Sequence, residues 1–314
     1  MRRRAPGFES PAGAVVAAWY IPFAPAAWLF YKNGAGVGRW SRRPADGEMA
    51  AILFHIGLMA YAVGSFGHLA SLVRERQGGH DFGDRALFVG LLFHGASVLF
   101  RAIDLIQGGA FRFAEGLSFV AFLTVGLYLL AGRTFRIPTL GAFVAPVVVM
   151  ILLPAHAFPD PSAAPPAWMG WIRPLHIVMA LGGLALFTLG FLISTLYLLL
   201  QRELKAKRPG AMFRRLPSLA QLDRMTQQVM TAGFVLLTLT LLTGVLYPVS
   251  SAESSTLRQL TKEAMGVVAW GLTAAILVLR QILGWRGRRV ALATMMGFFC
   301  LAIAYAGVFV GRPV

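Results

Sequence analysis

The chain has 314 residues, of which 57% are hydrophobic and only 13% charged, and its mean hydropathy is +0.66. Soluble domains carry about 25% charged residues, so this composition excludes one. The 23 Phe, 7 Trp and 7 Tyr exclude a disordered chain, and the net charge of +16 reads in this context as a record of membrane orientation and not as a nucleic-acid surface.

A helix crossing the hydrocarbon core needs about 20 largely apolar residues. In chain order the first stretch that could do so is 13–31, which follows Arg2, Arg3 and Arg4 but contains Pro22 and Pro25. It reads as a ninth span or an interfacial segment within an N-terminal extension, 1–48. Eight clear spans then follow at 49–73, 86–107, 115–132, 137–154, 172–201, 225–248, 263–283 and 290–311. The expected fold is all-α, a polytopic bundle of eight core transmembrane helices in one domain, 49–314. The runs are too long for the roughly 10-residue alternating strands of an outer-membrane barrel.

Lys and Arg distribute unevenly between alternate segments. Arg2 to Arg4, 73–86, 132–136, 201–224 and 284–289 hold 18 of them, and the opposite set holds 8. Cytoplasmic loops collect such residues, so 201–224 is expected in the cytoplasm, with 154–172, 249–262 and the C-terminus outside. The basic loop 201–224 suits anionic headgroups or a cytoplasmic partner.

The single cysteine, Cys300, precludes an intrachain disulfide and a thiolate zinc site. Metal chemistry must therefore rest on the six histidines or on carboxylates. Four histidines fall inside spans: His55, His68, His94 and His176. Ionisable groups at membrane depth mark sites or pathways, and imidazole is the commonest protein ligand of haem iron, against a bland reading as interhelical hydrogen-bond glue. His55 and His68 stand about 20 Å apart along one helix and about 140° apart around it, so they cannot share a haem. Counted from the ends of the apolar runs, His55 and His176 fall near the outer leaflet and His68 and His94 near the cytoplasmic one. His156 and His80 lie in loops. Arg101 and Asp104 sit at a pairing distance of three residues, and Arg101 is also a candidate clamp for a haem propionate.

The stretches LPSLAQLDRMTQQVMTAGFVLLTLTLLTGVLYP (216–248), Lys262-Glu263 with Trp270, GWRGRRVALATMMGFFCLAIAYAGV (284–308) and RPLHIVMALGGLALFTLGFLISTLYLLLQRELK (173–205) resemble the cytochrome c assembly family of membrane proteins, which includes CcsA and HemX. The His-x12-His spacing of the first span is similar as well. The resemblance implies a protein that handles haem, haem b being the candidate, and presents it for attachment to apocytochrome c. It makes His176 the counterpart of an outward-facing haem histidine and the first axial ligand expected, with His94, His55 and His68 as further candidates. The tryptophan-rich segment of CcsA is absent before Lys262, where the sequence reads VSSAESSTLRQLTKE. No histidine follows the last span, and Gly109-Ala110-Phe111-Arg112 stands where a CcsA-type protein has Gly-His-Phe-Pro. These departures resemble the HemX branch, which is associated with tetrapyrrole synthesis and the level of glutamyl-tRNA reductase.

The expected function is thus haem handling in the bacterial plasma membrane without catalysis. The expected partners are haem, the bilayer, and a cytochrome c assembly partner or a haem-synthesis enzyme. A transporter of another solute is the remaining reading. It has only the weak, same-sense likeness of GHLASLVRERQGG to FHGASVLFRAIDLIQGG behind it.

Overall fold

A computed structural model describes residues 44–74, 79–106, 111–135, 138–153, 172–206, 217–246 and 256–307. All of its regular structure is helical: α1 (Pro44–Arg74), α2 (Gly79–Ile106), α3 (Phe113–Phe135), α4 (Pro138–Leu152), α5 (Ile172–Lys205), α6 (Leu219–Leu246), α7 (Thr256–Leu283) and α8 (Arg288–Gly307). Among the described residues seven helices are long and apolar enough to cross a membrane, and Thr139–Leu152 is a shorter apolar one. The chain is a polytopic membrane helical bundle. The possible ninth span at 13–31 lies outside the described residues.

The helices overrun their apolar cores. α2 begins at Gly79, seven residues before its apolar run, α6 at Leu219 and α7 at Thr256. In α2 and α6 the added turns carry Asp84 and Asp223, which meet partners on other helices. α5 is the axis of the bundle. Residues 181–190 are buried without interruption, and α5 packs on α3, α4, α6 and α8. Its Leu189, Leu192, Ile193 and Leu196 join Val125, Leu140, Val144 and Val148 of α3 and α4 in the main apolar core. At one end Tyr305 of α8 donates to the Phe113 carbonyl of α3 at 2.8 Å.

α1 and α2 meet along an antiparallel seam in which glycines of one helix receive large side chains of the other. A methyl group on Gly57 would touch His94 Cβ at 3.0 Å, one on Gly64 would touch Leu87 at 3.0 Å, one on Gly83 would lie 2.6 Å from His68 Cδ2, and one on Gly90 would lie 2.6 Å from Tyr61. On each helix the glycines are seven residues apart, as are the residues they receive. Small residues at such spacings let helices approach closely in a membrane, where packing replaces the hydrophobic effect as the driving force.

The turn joining α7 to α8 uses Gly284 at φ 63° and Gly287 at φ 70°, a region open to glycine without strain. The Gly287 amide donates to Asp223 Oδ1 at 2.9 Å, and Arg280 Nη1 and Nη2 donate to Asp223 Oδ1 and Oδ2 at 3.1 and 2.7 Å. Arg280 and Asp223 are mostly covered, at 9% and 14% side-chain exposure, and removing one partner of such a pair costs about 3–5 kcal/mol. The clamp ties α6, α7 and α8 together at the end of the bundle that carries Arg85, Arg133, Arg202, Arg224, Arg286, Arg288 and Arg289.

Candidate functional site: four imidazoles in two environments

His68 is wholly buried. α2 and α4 close on its ring through glycines, since a methyl on Gly83 would lie 2.7 Å from Nε2 and one on Gly141 would lie 2.5 Å from Cε1. Asp84 Oδ1 stands 3.2 Å from Nε2, and the Tyr128 hydroxyl donates to the same oxygen at 2.8 Å. The carboxylate therefore holds the imidazole on one side and the phenol on the other. Asp84 and Tyr128 also border a surface groove of about 570 Å³ with Phe88, Arg85 and Arg133. This groove lies at the basic end.

His94 is also wholly buried, but its partners are neutral. Nδ1 lies 3.2 Å from the Tyr61 hydroxyl and Nε2 2.7 Å from Ser118 Oγ, and the rings of Phe54, Tyr61 and Phe122 stand edge-on around it, 5.6 to 6.0 Å away. Depth counted from apolar runs sets His94 level with His68, and the structure corrects this. His94 abuts Gly57, eleven residues before His68 on α1, a rise of about 16 Å. The cause is the early start of α2 at Gly79, which puts His94 about 22 Å into its helix.

His176 is half-buried near the start of α5, against the last turns of α6. Its Nδ1 lies 2.8 Å from Thr243 Oγ1. The Thr243 hydroxyl donates its one hydrogen to backbone carbonyls, Leu239 at 2.8 Å or Thr240 at 3.0 Å, so toward the imidazole its oxygen is an acceptor. The Thr240 carbonyl, which can only accept, also faces the ring. Nδ1 therefore carries the hydrogen and Nε2 the lone pair. His55 follows the same rule on an exposed face of α1, its Nδ1 donating to the Ala51 carbonyl at 2.6 Å. The structure thus divides the candidates: His68 and His94 are enclosed with partners at the ring, while His55 and His176 are held through Nδ1 with the ligating electrons on Nε2.

Arg101 pairs with Glu115 of α3 at 3.3 Å, and Glu115 also accepts from the Arg112 amide at 3.1 Å. Arg101 keeps 38% exposure. Its partnership with Glu115, like Asp84 with His68 and Asp223 with Arg280, joins residues far apart in sequence, and spacing along one helix could not find it. Trp270 donates to Thr238 Oγ1 at 3.0 Å and stacks on Phe234, fixing α7 on α6. His156 lies outside the described residues, as do residues 207–216 of the 201–224 loop.

Among the described residues no three His, Cys, Asp or Glu side chains converge as a metal cage. The donor set suits an ion that brings its own equatorial ligands and asks the protein for axial ones, and the Nε2 lone pair of His176 fits that demand.

Known proteins of the same kind were found on the sequence. A relative from Synechococcus sp. (strain CC9605) named cytochrome c biogenesis protein CcsA is 30% identical over 256 residues, covering 71% of this chain and 84% of its own. Proteins of the same name from Prochlorococcus marinus, 28% identical over 65% of this chain and 74% of their own, and from Heterosigma akashiwo, 25% identical over 63% and 73%, are similar as well. No solved structure matches. The model of the cytochrome C assembly protein family matches residues 88–312, a stretch from α2 to beyond α8 that takes in His94, Arg101 and His176, and the chain belongs to that family.

Proposed function

We propose that the protein acts in cytochrome c-type biogenesis by holding and passing haem within the membrane, without catalysing a reaction itself. Family membership and the CcsA name of its relatives support the process. The observation that carries the role is the hydrogen bonding of His176, which leaves Nε2 as the lone-pair nitrogen at the end of the bundle opposite the basic one. Haem, when bound, would supply a redox-active iron that takes imidazole nitrogens. His176 would hold that iron through Nε2, with haem b as the species. His55, whose ring is set in the same tautomer, is the second donor. Arg85 and Arg133 bring two cations to the groove beside Phe88, where an amphiphile with two carboxylates entering from the basic side finds charge partners and an apolar wall.

The orientation belongs to this reading. The 18 to 8 division of Lys and Arg supports a basic end in the cytoplasm of a bacterial plasma membrane, with His176 toward the outside. Cysteines introduced at Ser162 and Ser218 should label from opposite sides of intact cells, and labelling of both from outside overturns it.

The regulatory, HemX-type reading rests on departures of the sequence such as the loop 249–262 without tryptophan and Gly109-Ala110-Phe111-Arg112, and the names of the relatives do not favour it. A reduced-minus-oxidised absorption spectrum of detergent-purified protein tests the main reading. Protein made with excess haem should show a low-spin spectrum that His176→Ala and His55→Ala lose or shift and His156→Ala preserves. Protein that stays free of haem under those conditions sinks the reading.

A further inference from the structure

Two oxygens of α6, the Thr243 hydroxyl and the Thr240 carbonyl, face one side chain of α5, and only the hydroxyl can be removed without breaking the helix. Nδ1 of His176 meets Thr243 Oγ1 at 2.8 Å, and that oxygen is an acceptor because its hydrogen is engaged by the Leu239 or Thr240 carbonyl. Crowding does not hold the ring on the neighbouring side. A methyl group on Gly244 would lie 3.5 Å from His176 Cε1, an ordinary van der Waals separation, so Gly244 does not clamp the ring. The hydrogen bonds to α6 are the orienting contacts.

We propose that Thr243 is a positioning residue for axial ligation by His176: its hydroxyl oxygen fixes the Nδ1–H tautomer and the ring plane, and so aims the Nε2 lone pair. The proposal rests on the haem reading above. A ligating imidazole whose second nitrogen donates to an oxygen is a stronger donor and a better-aimed one, and losing such a partner lowers metal affinity about 10- to 100-fold. With Thr243 gone the Thr240 carbonyl remains as an acceptor, so the loss belongs at the lower end of that range. The weaker donor also favours ferrous over ferric iron, and the midpoint potential rises.

The test uses the full chain, purified in detergent and titrated with haem, with three readouts: haem dissociation, the low-spin absorption bands and the midpoint potential. Thr243→Val, which keeps the shape and removes the oxygen, should bind haem about tenfold more weakly and raise the potential. Thr243→Ser, which keeps the oxygen, should match the wild type. If Val and Ser both match the wild type while His176→Ala loses the spectrum, Thr243 does not position the ligand and the haem reading stands. A wild-type spectrum in His176→Ala removes the haem reading at this site and the proposal with it. Thr243→Ala guards against misfolding of the valine variant. Failure of both Val and Ala to insert, with Ser normal, makes Thr243 a folding residue and overturns the proposal as well.

Discussion

The enclosed pair of histidines and the outward pair differ in what satisfies them. His68 and His94 have no exposed surface, and their rings meet side-chain partners that come from other helices: Asp84 for one, Tyr61 and Ser118 for the other. His55 and His176 each spend Nδ1 on an oxygen of a helical backbone or of a threonine bonded back to it. The first arrangement cements helices together, because a buried polar group that lost its partner would be costly. The second engages Nδ1 and fixes a tautomer. Within the enclosed pair there is a further contrast. His68 faces a carboxylate, whereas His94 lies between two hydroxyls.

The largest test of this division is His94→Ala, which empties a packed aromatic surround and strands Tyr61 and Ser118. It should cost about 2–5 kcal/mol, visible as loss of thermal stability in detergent, while whatever protein folds keeps the wild-type haem spectrum. A lost spectrum in stable protein would move His94 into the ligating group. Next, Gly141→Ala drives a methyl against the His68 ring from α4. Overpacking of that kind costs about 1–3 kcal/mol, and a variant as stable as the wild type would show that the ring has room to move. Smallest is Tyr128→Phe, which removes one hydroxyl from Asp84 and should cost about 1 kcal/mol. An equal loss from Tyr128→Phe in an Asp84→Ala background would show that the phenol does not act through that carboxylate.

The bundle was legible as apolar runs, because a bilayer demands about 20 such residues per crossing, and each of the eight runs corresponds to a helix. The ends were not. Asp84 and Asp223 look like loop residues to a hydropathy scan, yet each lies within a helix, because His68 with Tyr128 and Arg280 with Gly287 meet them there. A start at Gly79 instead of residue 86 moves His94 about two turns deeper. His176 could be singled out from its place at the head of α5, but Thr243 could not, since one threonine among several on α6 gains meaning only when the two helices are laid side by side. The seam of α1 and α2 is a similar case. Its glycines recur every seven residues in plain view, and nothing in one helix alone says that its notches face the other's large side chains.

That seam also limits how this part of the molecule can move. Gly57, Tyr61, Gly64 and His68 oppose His94, Gly90, Leu87 and Gly83 in turn, so a piston-like slide of α1 by one turn would set ring against ring. The same order returns only after a stroke of seven residues, about 10 Å, a third of a bilayer's hydrocarbon thickness. Axial sliding is therefore blocked by steric teeth, and any displacement of these two helices must be a tilt or a swing of both as a single lever, carrying His55, His68 and His94 along at fixed mutual spacing.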